Sequence, residues 1–72
     1  MAGVIVTYDG SKYCVVKLDE EGKEVERVCC EEAKQVSVSA PCTLEGYSER
    51  PGFVMRCEGK AECKGSRLVV ST

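Results

Sequence analysis

The chain contains no histidine and no tryptophan, and only one phenylalanine and two prolines. Without histidine, the Ser-His-Asp hydrolytic triad, the Cys-His protease and imidazole-bearing zinc sites are excluded. The seven glycines stand singly at turn positions, so no glycine loop is present to cradle a phosphate. No apolar run approaches the length of a membrane-spanning helix. Neither sign of charge dominates: ten basic and twelve acidic residues give a net charge of −2. That balance leaves no electrostatic footprint for nucleic acid or an anionic membrane. A glycosidase needs two carboxylates held across a cleft, and 72 residues leave little room for one. Asp19-Glu20-Glu21 and Glu31-Glu32 read instead as solvated surface. The expectation is a protein that is not an enzyme and needs no cofactor.

Against these absences stand six cysteines, Cys14, Cys29, Cys30, Cys42, Cys57 and Cys63. Large apolar side chains are scarce, and a chain this short has a marginal core. A disulfide closing a loop of about 15 residues contributes roughly 3 kcal/mol, a large share of a net stability of about 5 kcal/mol. All six cysteines are therefore expected to be oxidised, within a single disulfide-rich β domain spanning 1–72. The N-terminus, Met1-Ala2-Gly3, lacks the basic and apolar regions of a signal peptide. This fits a mature secreted chain with an initiator Met, or a cytosolic protein whose cysteines are free or bind metal. Metal binding by cysteine alone needs closely spaced pairs. The intervening gaps of 14, 0, 11, 14 and 5 residues supply none, so no metal ligand is assigned.

Along the chain, Val4 to Tyr8 and Tyr13 to Leu18 read as strands joined at Asp9-Gly10, a dipeptide suited to a two-residue type I′ turn. Asp19 to Lys23 makes a second turn, with Gly22 at its left-handed position, and Glu24 to Cys30 completes a three-strand meander. Glu31 to Lys34 fits one helical turn or a polar loop. Gln35 to Ala40 alternates, which directs Val36, Val38 and Ala40 inward. Phe53 to Cys57 and Arg67 to Ser71 supply two more strands, with Glu58 to Ala61 as a turn. The fold class is all-β: a small disulfide-stapled barrel or sandwich of about five to six short antiparallel strands, with no helix beyond one turn.

Pairing the meander through its turns places Ile5, Cys14, Val16, Leu18, Val28 and Cys30 on one face. Val4, Val6, Tyr13, Val15, Val25 and Cys29, with Lys17 and Arg27, fall on the other. The first face is purer and is expected to be the core. Successive strand residues point to opposite sides, so Cys29 and Cys30 should bridge to different segments, at least one of them within Cys42–Cys63.

The connection from Cys42 to Cys57 is long for so small a domain, and long ordered loops are often functional. Leu44, Tyr47, Glu49, Arg50, Pro51 and Phe53 are its candidate contact residues, Tyr and Arg being enriched at interface hot spots. The plainer alternative is a crossover whose Tyr47 packs onto the sheet. The expected role is a non-enzymatic binding or scaffold module meeting another protein.

The cysteine order, one, then an adjacent pair, then singles, resembles that of the fungal hydrophobins. Cys14, Cys29-Cys30, Cys42, Cys57 and Cys63 match the first six positions of that pattern. The resemblance implies a small β-barrel, a surface-active structural role and the bridges Cys14–Cys63, Cys29–Cys57 and Cys30–Cys42. The 31% charged residues and the lack of an aliphatic patch depart from it. The segments Tyr8 to Tyr13 and Leu18 to Val25 also resemble idealised designs in their turn and surface chemistry, which implies an engineered scaffold.

Overall fold

The computed structural model describes residues 3–44 and 52–72 and, of Phe53, the backbone. Its elements are all strands: β1 (Gly3–Tyr8), β2 (Tyr13–Leu18), β3 (Glu24–Cys30), β4 (Gln35–Val38), β5 (Cys42–Leu44), β6 (Phe53–Cys57), β7 (Lys60–Lys64) and β8 (Arg67–Ser71). Five form one sheet in the order β3-β2-β1-β6-β5, and three form a second in the order β4-β8-β7. Every pairing is antiparallel except β4 with β8. The two sheets face each other as a sandwich-like pair.

The meander lies where the apolar alternation puts it. The second half holds two strands more than the sequence suggests, β5 and β7. In β7 the run Lys60-Ala61-Glu62-Cys63-Lys64 follows Gly59 and precedes Gly65, so it reads as turn. Gly59 marks a corner instead: a Cβ there would overlap the Ser71 carbonyl oxygen, so the chain passes from one sheet to the other only without a side chain. The segment 31–34 is a turn, and its Ala33 is buried in the core.

Two local departures come from turn chemistry. The first hairpin closes with Tyr8 opposite Tyr13, giving a four-residue loop rather than a two-residue type I′ turn. Asp9 is the cause, because its carboxylate competes for the backbone amides that a tight turn would use. The second hairpin has Gly22 at φ 83° as expected, and Asp19 Oδ1 accepts from the amides of Glu21 and Lys23 at 2.9 Å each. Just beyond it the register slips. Leu18 faces Glu24 whereas Lys17 faces Glu26, leaving Val25 as the extra residue of a bulge. Val25 is accordingly exposed.

That single residue overturns the expected core face. A one-residue shift exchanges the faces of everything beyond it, so Val28 pairs with Val15 and Cys30 with Tyr13. The inner face carries Val4, Val6, Tyr13, Val15, Cys30, Met55 and Cys57, packed on Ala61, Leu68 and Val70 of the smaller sheet. Ile5, Val16 and Leu18, with Cys14 and Cys29, lie on the outer face, where Cys14 and Val16 are nonetheless buried and Ile5, Leu18 and Cys29 half-buried. Val36 and Ala40 pack on the core as their alternation suggests, but Val38 is 44% exposed at the sheet edge.

The bulge also selects the disulfides. Cys29 stands opposite Cys14 and bonds to it, with 3.9 Å between Cα atoms. Cys30, turned inward, reaches Cys63 on β7 and joins the two sheets. Cys42 and Cys57, opposite each other on β5 and β6, form the third bridge. None of these is a bond that the hydrophobin resemblance implies. In that pattern Cys29 and Cys30 both reach into the second half, whereas here the meander satisfies Cys29 locally.

The face assignment is open to a direct comparison. Val6→Ala, at a fully buried position, should cost at least about 2 kcal/mol through lost transfer energy and a residual cavity. Ile5→Ala, its neighbour on the outer face, should cost no more than about 1 kcal/mol despite deleting more carbon. Urea unfolding at constant m-value measures both; the reverse ranking would put the core on the other side.

Candidate functional site

Of the contact residues singled out in the sequence, Tyr47, Glu49, Arg50 and Pro51 lie outside the described residues. Leu44 ends β5 and is 57% exposed, and Phe53 opens β6. These two flank the 45–51 connection from neighbouring strands of the large sheet. Leu44 pairs with Met55, which belongs to the core.

The described surface offers a second location, at the seam where β3 and β7 are drawn together by Cys30–Cys63. On one side lies an open cleft of about 310 Å³ lined by Val15, Lys17, Val28, Ala61, Glu62 and Cys63. Its floor is apolar because Val15 of β2 faces inward and the bulge turns Val28, on the edge strand β3, to the same face. The smaller sheet contributes Ala61 rather than a large side chain, so the space stays open. Lys17 stands at its rim, 3.6 Å from the carboxylate of Glu26, and Glu62 stands opposite on β7. Across the disulfide is a more polar hollow of about 330 Å³ lined by Cys29, Cys30, Glu31, Glu32, Cys63 and Gly65.

Sequence reasoning missed this seam. The informative signal was the period-two alternation of Lys60 to Lys64, short enough to be masked by its flanking glycines. Only a strand there brings Ala61 and Cys63 to one side.

All six sulfurs are in disulfides, which leaves no thiolate to act as ligand or nucleophile. Among the described residues, no group of three or more His, Cys, Asp or Glu side chains is placed to hold a metal ion, and no helix is long and apolar enough to cross a membrane. The disulfides are consistent with an extracellular or otherwise oxidising environment. No family model, curated protein or solved structure matches the chain.

The titration that stands out belongs to a turn, away from the seam. Asp9 Oδ1 accepts from the Ser11 amide and hydroxyl at 2.9 Å each and from the Lys12 amide at 3.0 Å. Led by the Ser11 amide, these donors hold its pKa at about 2, below the ordinary 3.8. A lowered pKa means stability fully present above 3.8 and lost as pH falls toward 2. Carbon-13 titration of the Asp9 carboxyl should give a midpoint near 2. Asp9→Asn should flatten the loss of stability across that interval, and a midpoint at the ordinary value would mean the turn does not hold the carboxylate.

Proposed function

We propose that the protein is a non-enzymatic binding module, secreted or otherwise exposed to an oxidising environment, that acts through surface contacts with another protein. The observation that carries this reading is the β3–β7 cleft. Val15, Val28 and Ala61 form an apolar floor flanked by Lys17 on β2 and Glu62 on β7, whose side chains are held in exposed ion pairs with Glu26 and Lys64. An apolar floor with a few polar groups at its margin is the mix that fixes a ligand's position while burying its apolar part. The disulfide beside it holds both walls, so little ordering cost falls on binding. A partner segment of suitable chemistry is extended, with a small aliphatic side chain for the floor and charges of opposite sign on either side. The 42–57 connection, with exposed Leu44 at its root on β5, the opposite edge of the large sheet from β3, is a separate surface that the sequence marks for contact. The same rigid frame would serve as a scaffold in an engineered chain.

Peptides selected from a displayed library against the native protein test this. Those that bind should shift the amide resonances of Val15, Val28 and Ala61 and lose about tenfold or more in affinity on Glu62→Lys. That substitution lies at an exposed position and leaves the fold intact. Selected peptides that ignore Glu62→Lys and shift only amides of the 42–57 connection would move the site to that loop. A library that yields no binder would count against the reading altogether.

A further inference from the structure

Free sheet edges invite pairing with other chains unless charge, proline or shortness blunts them. Of the edge strands, β3 carries Glu24, Glu26 and Arg27, and β7 carries Lys60, Glu62 and Lys64. β5 has only three residues. β4 is different: Gln35-Val36-Ser37-Val38 contains no charge, although 31% of the chain is charged.

The hydrogen bonding of β4 shows which of its groups face outward. The Gln35 amide donates to the Ser66 carbonyl and the Ser39 amide to the Val70 carbonyl, in parallel register with Gln35 opposite Arg67. In such a ladder the odd-numbered residues of β4 turn their backbone groups toward β8. Val36 and Val38 turn their N–H and C=O groups to the open edge. Among the described residues no partner meets them there. On one side of the strand Arg67 fixes Ser37 and Gln35, donating to Ser37 Oγ at 2.6 Å and Gln35 Oε1 at 2.8 Å. On the other, Val36 is packed on the core while Val38 stays 44% exposed.

We infer that β4 is a homodimerisation edge that pairs antiparallel with β4 of a second copy. The strand is complementary to itself about Ser37. With a two-fold axis there, Val36 of each copy lies opposite Val38 of the other, and every outward amide and carbonyl of the two residues exchanges a hydrogen bond. Each exposed Val38 side chain then meets Val36 of the second copy on the same face, a β-branched cross-strand pair. Isologous pairing of this kind closes at two copies and leaves no new free edge between them. A foreign extended peptide would form the same ladder, but it lacks the symmetry that matches both valines at once. The joined sheet runs β7-β8-β4-β4-β8-β7. Pro41, just past the strand, keeps the ladder short, so the dimer is weak and concentration-dependent.

Sedimentation velocity from about 10 µM to 1 mM should show a reversible monomer–dimer equilibrium. Val36 and Val38 amides should exchange with solvent at the dilute end and gain at least tenfold protection at the concentrated end. Val38→Lys, at an already exposed position, should leave a folded monomer across the range, while Val38→Ile keeps the dimer. A monomer at every concentration overturns the inference, as does a dimer that survives Val38→Lys or protects amides of β3 or β5 instead. Pairing of a foreign extended peptide at β4 without self-association also overturns it.

Discussion

One extra residue on β3 governs this structure. The bulge at Val25 shifts the β2–β3 register between Lys17 and Leu18, and side chains beyond it change faces. Val28 and Cys30 turn inward as a result, and Cys29 turns out to meet Cys14. Without the bulge, Cys29 would point into the sandwich and Cys30 away from β7. The meander would then have no local bridge, and the two sheets would lose the Cys30–Cys63 link. A bulge also increases local twist, which suits an edge strand that must curl toward the second sheet.

The disulfides then take over work that a larger core would do. Among the described residues the largest fully buried side chains are Leu68, Val6 and Val70, all aliphatic and of moderate size. By the chain-entropy account, each bridge with a separation of 15 constrains the unfolded chain by about 3 kcal/mol, and the bridge with a separation of 33 by about 4 kcal/mol. Two of them tie neighbouring strands within one sheet. Cys30–Cys63 alone ties sheet to sheet, and the cleft beside it is a consequence: the sulfur bridge holds walls together where small Ala61 cannot fill the gap.

Much of the fold was legible because its signals are local. Asp-Gly and Gly22 mark the two hairpins, β-branched runs mark β1, β2 and β8, and clean alternation marks β4. What escaped depended on longer range. A bulge leaves no sequence trace beyond an exposed valine, so the choice of inner face went wrong although the strand bounds were right. β7 is a strand because β8 pairs with it, not because Lys60 to Lys64 has strong strand propensity. The candidate site follows the same pattern. Leu44 ends β5, a strand that the sequence does not suggest, and the seam joins residues from distant segments that no spacing rule links.

The central claim, that the Val25 bulge sets the register and with it the disulfide pairing, is tested by mapping the bridges in unreduced protein. Trypsin should release one complex of peptides 13–17, 28–34 and 61–64, and another joining 35–56 to 57–60. Fragmentation between Cys29 and Cys30 should then assign Cys29 to Cys14 and Cys30 to Cys63. A Cys14–Cys30 bond paired with Cys29–Cys63, or any link from peptide 28–34 to peptide 35–56, would contradict the account.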